Sequence, residues 1–281
     1  MKNIPMAGGK LYIDNGPVQM LVQAERAGIP MPAEMEKAAA QVNNLLTQLV
    51  KLLPQAKRPW PDLEGMRFPG VLGKMLPAAR ATESPDMTPM CAVAGAFADL
   101  TADYLANRGA TRVLINNGGD LALRLRGSTQ AVLGVADKVG GNPVWKVCVS
   151  GGQGVGGTAT SGLAGRSFTL GVADAVTVFA GTGAVADACA THIANTTAID
   201  SPAVSRRRAR DLDPDTDIPD LLVTTEVGKL TEGEIARALD QAEERARYLM
   251  GRGTILGVML FVQGRHRLLL PDGLTAEPIH R

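Results

Sequence analysis

The chain has 281 residues, of which 45% are hydrophobic and only 4% aromatic, and its 29 basic and 28 acidic side chains leave a formal net charge of +1. This composition excludes an intrinsically disordered protein, and the balanced charge and few aromatic rings argue against a protein that binds nucleic acids or anionic membranes. The 32 glycines exceed the average usage of about 7% without a collagen period, so their placement needs a specific explanation.

A hairpin and two helices are predicted in the first part of the chain. The hairpin strands flank an Asn-Gly-Pro turn, the first helix has apolar residues at helical spacing between two prolines, and Thr88-Pro89 starts the second helix with a hydroxyl cap. The bounds are Leu11–Ile13 and Val18–Val22 for the strands, Pro32 to Pro54 for the first helix, and Met90 to Asn107, with a stop at Gly109, for the second. The proline- and glycine-rich stretch 57–89 is predicted to be irregular.

Strands dominate the prediction after Gly109, with two more helices between them. The strands are Arg112–Ile115, Leu121–Leu125, Ala131–Val135, Val144–Val149, Ala175–Ala180 and Leu221–Val227, followed by a closing hairpin of Thr254–Val262 and His266–Leu270. The helices run over Ala184–Asn195 and from a capping box at Thr231 to Met250. Because no repeat or linker divides the chain, residues 1–281 are predicted to form a single α+β or α/β domain.

The cysteine and histidine content indicates a reducing compartment. The three cysteines are isolated and share no C-x-x-C spacing, so we expect reduced, buried thiols and no thiolate zinc site. The three histidines are too few for a histidine-rich metal centre. With no signal-peptide pattern and no apolar run of about 18 residues, the chain is predicted to be cytoplasmic and to lack a membrane segment.

Two glycine-containing segments are candidates for ligand binding. Asn116-Asn117-Gly118-Gly119-Asp120 lies between two strands and is either a tight turn or a group of backbone N–H and polar side chains that grips a small ligand. Gly151–Gly165 contains seven glycines but has neither the helix start of a dinucleotide-binding fingerprint nor a Gly-Lys-Ser/Thr element. It is either a flexible surface loop or bare backbone near a ligand, with Thr158, Thr160, Ser161 and Arg166 as polar groups.

The helix around Asp187 is the third candidate. Asp187 and Thr191 are four residues apart and therefore lie on one helix face, among small apolar neighbours. Their oxygens would suit a hard cation such as Mg²⁺, whereas the alternative is that Asp187 complements the positive end of the helix. The acidic residues Asp211, Asp213, Asp215 and Asp217 lack the glycine and terminal glutamate of a calcium loop, and with the neighbouring arginines they are predicted to form a solvated, self-compensating charged loop.

Together these motifs resemble the ApbE-type flavin transferases. Asn117-Gly118-Gly119-Asp120 is similar to the family's N-x-G-G-D element, Thr160-Ser161-Gly162 to its T-S-G element, and Ala186–Thr191 to its A-D-A-x-A-T helix, in the family's order. Residues 88–96 and 116–120 resemble most closely the uncharacterised ApbE-like group of prokaryotic proteins.

The resemblance implies a fold, a reaction and a set of site residues. The fold would be a two-layer arrangement of helices on a mixed or antiparallel sheet, related to the T-fold. The reaction would be Mg²⁺-dependent transfer of FMN from FAD to a Ser or Thr hydroxyl of an acceptor protein. The implied residues are Asp187 and Thr191 as metal ligands, Asn117, Gly118, Gly119, Thr160, Ser161 and Gly162 as flavin-nucleotide contacts, and Asp120 as the catalytic candidate.

Two departures from the family pattern leave other functions open. The interval Leu163–Val172 holds no histidine where the flavin transferases have an H-I-I-D-P-x-T-G-like segment, and Ala94 replaces a lysine before Gly95. The same pocket could therefore bind a flavin or another nucleotide without cleaving it, as a maturation factor for a redox complex. It could also act on another small metabolite.

Overall fold

A computed structural model describes residues 2–279 of the chain, within which six α-helices and fifteen strands form. The helices are α1 (Pro32–Val50), α2 (Leu53–Ala56), α3 (Gly70–Ala81), α4 (Val93–Asn107), α5 (Gly183–Thr196) and α6 (Glu232–Gly251). The strands are β1 (Lys2–Met6), β2 (Lys10–Asn15), β3 (Val18–Arg26), β4 (Ile29–Pro30), β5 (Arg112–Asn117), β6 (Asp120–Leu125), β7 (Gln130–Val135), β8 (Trp145–Ser150), β9 (Gly157–Ser161), β10 (Ala175–Ala180), β11 (Val204–Arg208), β12 (Leu222–Val227), β13 (Gly257–Val262), β14 (Arg265–Leu269) and β15 (Ala276–Pro278).

One large antiparallel sheet organises the molecule. Its strand order is β1-β2-β3-β5-β6-β9-β10-β13-β14, with β4 paired to β3. The register places Asn117 opposite Asp120 at the β5–β6 turn, and β9 pairs with both β6 and β10. The N-x-G-G-D and T-S-G elements therefore lie on neighbouring parts of the same sheet.

Helices cover one face of the large sheet and a small sheet covers part of the other. Strands β2, β3 and β5 share one buried apolar cluster with α1, α3 and α4, while β10 and β13 share a second cluster with α5 and α6. Strands β7 and β8 of the three-stranded sheet β15-β8-β7 pack on the opposite face, against Phe179 and Phe261. This mixture of helices with an antiparallel sheet confirms the predicted fold class.

Three glycines allow α4, β9 and α5 to meet without side chains between them. A Cβ atom at Gly95 would lie 2.2 Å from the carbonyl oxygen of Gly183, and one at Gly157 would lie 2.2 Å from the backbone nitrogen of Gly183. Both distances are too short for any real contact, so only glycine fits at these positions. The close approach sets the position of the start of α5, the helix that carries Asp187.

The prediction that residues 57–89 are irregular is wrong for α3. This helix begins after Pro69, accommodates Pro77 in its interior, and buries Val71, Leu72 and Met75 against the core. Burial of that face outweighs the low helix propensity of glycine and proline. The predicted cap at Thr88 is also wrong: a short 3-10 turn, Pro89–Ala92, precedes α4, and the Thr88 hydroxyl donates instead to the carboxylate of Asp217.

Two further sequence expectations need correction. Cys189 is buried and Cys91 half-buried, as expected of reduced thiols, but Cys148 on β8 is exposed because the outer face of the small sheet is uncovered. The arginines of the charged loop do not compensate the acidic residues, since Arg208 and Arg210 both pair with Asp220. Between residues 2 and 279, no helix combines the length and apolar character needed to cross a bilayer.

Candidate functional site

The first cavity, of about 570 Å³, lies between α1, the start of α4 and the sheet end that carries the β5–β6 turn. One wall is apolar and comes from α1, α2 and α4; it includes Leu46, Leu49, Val50, Leu53, Val93 and Phe97. The opposite side carries polar groups from the sheet and from α5. Cavities of this size and mixed lining are typical of small-molecule sites.

Most of the residues that the motifs single out line this first cavity. They are Asn117, Gly118, Asp120, Thr160, Ser161, Asp187 and Thr191. Gly119 and Gly162 are not among the lining residues that the structure describes. The fold therefore brings three motifs that are distant in the chain to one place, while two of the nine candidate residues have other structural roles.

The β5–β6 turn is held by its own side chains. Gly118 and Gly119 have φ angles of +70° and +113°, which favour glycine, and the N–H of Gly119 donates to the side-chain oxygen of Asn116 at 2.9 Å. Asn117 is buried and donates through Nδ2 to the Ala94 carbonyl at 3.0 Å. Asn117 thus ties the turn to the start of α4, and Gly118 is the member of the glycine pair that faces the cavity.

In the T-S-G element, the Thr160 hydroxyl is bonded within the sheet and the Thr160 backbone faces the carboxylate of Asp120. The Thr160 hydroxyl bonds to the Thr177 hydroxyl at 2.8 Å, and it is the backbone N–H of Thr160 that reaches the Asp120 carboxylate. Gly162 has a φ angle of +153°, and a Cβ there would lie 2.8 Å from the carbonyl oxygens of Ala173 and Asp174. Gly162 is therefore needed for backbone packing next to the site.

Asp120 and Asp187 form a carboxylate pair in the first cavity. Burial raises the pKa of Asp120 to about 7, although the Thr160 N–H and the positive charge of Arg166 lower it. Burial and the facing charge of Asp120 raise the pKa of Asp187 well above its usual range. Asp187 accepts the N–H of Gly95 at 2.9 Å, which fixes the carboxylate on the cavity side of α5. Two buried carboxylates that repel one another in this way favour a shared proton or a bound cation.

The raised pKa of Asp120 predicts a pH-dependent stability difference for Asp120→Asn. Because the folded-state pKa is above the unfolded-state value, ionisation penalises the folded wild type as pH rises from about 4 to about 7. Above pH 7 we expect the variant to be more stable than the wild type by about 1–2 kcal/mol, because solvent screens part of the cost of ionising this half-buried carboxyl. Below pH 4, where Asp120 is protonated in both states, we expect no difference in stability. Urea unfolding of the wild type and the variant, above pH 7 and below pH 4, measures this difference in stability. Asp200→Asn, at an exposed position, should show no such pH-dependent difference. Equal stability of Asp120→Asn and wild type at pH 8 would contradict the assignment.

The donor set of this cavity fits a hard cation that is shared with a ligand. Within residues 2–279, no group of three or more His, Cys, Asp or Glu side chains is placed to hold a metal by itself. The cavity offers two carboxylates, Asp120 and Asp187, with the Thr191 hydroxyl one turn further along α5. Mg²⁺ is usually held in this way, by one or two carboxylates with phosphate and water oxygens completing the shell.

A second cavity, of about 450 Å³, adjoins the first. Both are lined by Met90, Val93, Arg166, Ser167 and Thr191. Asp213, Asp215 and Asp217 line the second cavity; Asp213 and Asp215 are exposed, as predicted for a solvated loop, whereas Asp217 is half-buried. The Lys57 ammonium donates to the Asp215 carbonyl and Thr88 donates to Asp217, which holds the loop against the protein.

The glycine-rich segment is explained mainly by backbone packing. Of its seven glycines, all of which the structure describes, Gly165 alone lines the first cavity and none lines the second. A Cβ at Gly151 would lie 2.4 Å from the Gly127 carbonyl oxygen, and one at Gly156 would lie 2.1 Å from that of Gly181. Its centre is strand β9 and not a flexible loop, and of the polar groups named for the segment, Thr160, Ser161 and Arg166 line the first cavity.

Comparison with known proteins identifies the family. A family model described as "AbpE bacteria" matches residues 3–268. The chain belongs to this family. The resemblance inferred from the three motifs is thereby confirmed at the level of the family.

This AbpE family member is also similar to individual proteins in sequence and, at low sequence identity, in fold. A UPF0280 protein from Methanopyrus kandleri is 40% identical over 157 residues, which is 55% of this chain and 59% of the relative. The chain spans about half the length of the curated relatives it matches. The crystal structure of the ApbE protein from Thermotoga maritima matches 95% of this chain and 97% of its own with a TM-score of 0.50 at 12% identity, which shows a shared fold. The apo flavinyl transferase ApbE of Pseudomonas stutzeri matches 99% of this chain and 94% of its own at 15% identity, with a TM-score of 0.44.

Asp99 supports the candidate site from α4 and was not among the predicted site residues. Asp99 on α4 is fully buried and accepts the N–H groups of Gly183 and Ala184, each at 2.9 Å, at the start of α5. Arg124 pairs with it at 3.0 Å and with Asp103 at 2.7 Å. In the sequence, Asp99 stands among the small residues Gly95, Ala96 and Ala98, but its partner at residues 183–184 could not be identified without the fold.

Proposed function

We propose that this protein binds FAD across the two adjoining cavities and transfers the FMN half to a Ser or Thr hydroxyl of an acceptor protein. The observation that carries the proposal is the Asp120–Asp187 carboxylate pair, which lies where residues of three motifs of the flavin transferases converge, opposite the apolar wall of the first cavity. Membership in the AbpE family supports it.

The two cavities suit the two halves of a dinucleotide. The apolar wall of the first cavity, which includes Leu49 and Phe97, provides a surface for a flat isoalloxazine ring. Arg166 lines both cavities and is anchored by a 2.9 Å hydrogen bond to Gln19, so its positive charge lies at their junction. Phosphate groups that link the two halves would lie at this junction.

Each polar residue then has a defined task. Asp187 and Thr191 would hold Mg²⁺, which when bound neutralises the phosphate charge. Asp120 would accept the proton of the incoming hydroxyl, and its pKa of about 7 suits a base that works near neutral pH. The hydroxyl oxygen forms a bond to the FMN phosphorus, the bond between the two phosphates breaks, and AMP leaves with the bridging oxygen.

A two-step experiment tests this function. Calorimetric titration of the purified protein with FAD should show binding that MgCl₂ strengthens. Incubation with FAD, MgCl₂ and a total protein extract of the source organism should then release AMP and produce fluorescent, covalently flavinylated protein in equal amounts. Absence of FAD binding in both the presence and absence of Mg²⁺ would refute the proposal.

A second candidate function is FAD binding without cleavage. The observation that favours it is the interval Leu163–Val172, which holds no histidine where the flavin transferases have one, together with Ala94 in place of a lysine. Such a protein would serve a redox complex as a carrier or maturation factor. Tight FAD binding with FAD recovered intact and no AMP released would support this candidate over the first.

A further inference from the structure

The second cavity holds two hydrogen-bond donors whose orientation is fixed by other contacts. Asn195 accepts the N–H of Leu170 at 3.0 Å through its side-chain oxygen, which turns its Nδ2 group away from that loop. His192 Nε2 lies 2.7 Å from Arg245 Nε. Because a guanidinium group only donates, His192 must accept through Nε2, so the ring is neutral and carries its hydrogen on Nδ1.

Both donors are available to a ligand. Within residues 2–279, neither Asn195 Nδ2 nor His192 Nδ1 has a hydrogen-bond partner, and neither atom is buried away from solvent. Both residues line the second cavity. The cavity is thus equipped to donate hydrogen bonds without carrying a positive charge at these two atoms.

Helix α5 connects these donors to the first cavity. Asp187, Thr191 and Asn195 follow one another at intervals of four residues and therefore lie along one face of the helix. Thr191 lines both cavities, with Asp187 on the first side and Asn195 on the second. A ligand with phosphates beside Thr191 would reach Asn195 and His192 with its far end.

The charges of the second cavity favour an uncharged far end. Away from Arg166 at the junction, its lining includes the ammonium of Lys57 but four carboxylates, those of Asp86, Asp213, Asp215 and Asp217, so acidic groups predominate there. These carboxylates would repel phosphate but can accept hydrogen bonds from ribose hydroxyls. Phe168 adds an aromatic surface on which a base can stack. This combination of an aromatic surface, neutral donors and carboxylates matches a nucleoside.

We propose that the second cavity binds the adenosine half of the dinucleotide, with Asn195 Nδ2 and His192 Nδ1 as the donors that recognise its acceptor atoms. Arg245 is a positioning residue, because it holds His192 in the Nδ1–H form. The inference rests on the proposed function for the identity of the dinucleotide, and it assigns the specificity for FAD over FMN to residues outside the carboxylate pair.

Comparison of FAD with FMN and AMP tests the assignment. Asn195→Asp keeps the oxygen that accepts from Leu170 but removes the donor, and His192→Phe keeps the ring but removes its donor. Each variant should weaken binding of FAD and AMP about tenfold in calorimetric titrations with MgCl₂, since one hydrogen bond is lost, while FMN affinity stays unchanged. Thermal unfolding of each variant verifies that it is folded. Because the two variants remove different donors, the same loss of FAD and AMP affinity in both supports the adenosine site independently of either substitution.

The outcomes separate this inference from the proposed function. Unchanged FAD and AMP affinity in both variants overturns the adenosine site even if FAD is bound. A wild-type protein that binds AMP through His192 and Asn195 but not FAD supports the adenosine site and refutes the proposed function. Binding of neither FAD nor AMP refutes both.

Arg245→Gln tests the positioning role, with Arg247→Gln as the matched control. Arg247 lies two residues further along α6, is exposed, and pairs with Glu243 instead of a histidine. Arg245→Gln should reduce the FAD-to-FMN affinity ratio several-fold and shift the ¹⁵N resonances of His192 towards a mixture of tautomers, whereas Arg247→Gln should change neither. An unchanged His192 spectrum and affinity ratio in Arg245→Gln would overturn the positioning role.

Discussion

Asp99→Ala is expected to lower the free energy of unfolding by about 3–5 kcal/mol. The Asp99 side chain is fully buried, and it accepts two backbone N–H groups at the start of α5 and pairs with Arg124. Alanine would leave both N–H groups without an acceptor in a place that water does not reach. Urea unfolding followed by circular dichroism measures the loss as a lower midpoint.

Asp103→Ala is the matched control for this effect. Asp103 pairs with the same arginine, but its side chain is 34% exposed and accepts no backbone group at a helix start. Its removal should cost less than about 1 kcal/mol, because partly exposed ion pairs contribute little. If the two variants lose equal stability, the capping role assigned to Asp99 is wrong.

Asp187→Asn is expected to weaken the Mg²⁺-dependent part of FAD binding about 100-fold. The substitution removes a negative charge from the proposed cation site but keeps an oxygen that can accept the N–H of Gly95. FAD titrations at several MgCl₂ concentrations measure the change.

Stability distinguishes a functional loss from an unfolded variant. Since the pKa of Asp187 is raised by burial and by Asp120, the neutral amide relieves repulsion in the folded state. We therefore expect the Tm of Asp187→Asn to stay the same or rise while FAD binding falls. A variant that retains the full effect of Mg²⁺ on FAD affinity would remove Asp187 from the metal site.

The site elements that the sequence predicted are those with local signals. Adjacent glycines need positive φ angles, so a turn at residues 118–119 could be inferred from residue types alone, and Asp187 and Thr191 share a face in any helix. The placement of Asp187 in one cavity with Asn117 and Asp120 was expected only from the family resemblance, because Asp187 is distant from both in the chain.

The second cavity and the glycine contacts could not be predicted in this way. The cavity combines Lys57 with segments around residues 84–93, 166–170, 191–196 and 213–221, and no local pattern indicates that these segments meet. Gly95 and Gly157 are required because a Cβ atom at either position would lie 2.2 Å from the backbone of Gly183, and this close approach depends on the tertiary fold. Helix α3 was missed for a similar reason, since its stability comes from the buried face of Leu72 and Met75 and not from its residue propensities.

The unequal exposure of the three thiols makes the protein suited to site-selective labelling. Cys148 lies exposed on β8 and does not line either cavity described above, so a maleimide dye attached there would leave both accessible. Burial and the nearby charge of Asp187 hold the pKa of Cys91 well above its usual range, and burial raises that of Cys189 to about 12, which slows alkylation at both. A fluorescent reporter can therefore be introduced without first removing native cysteines.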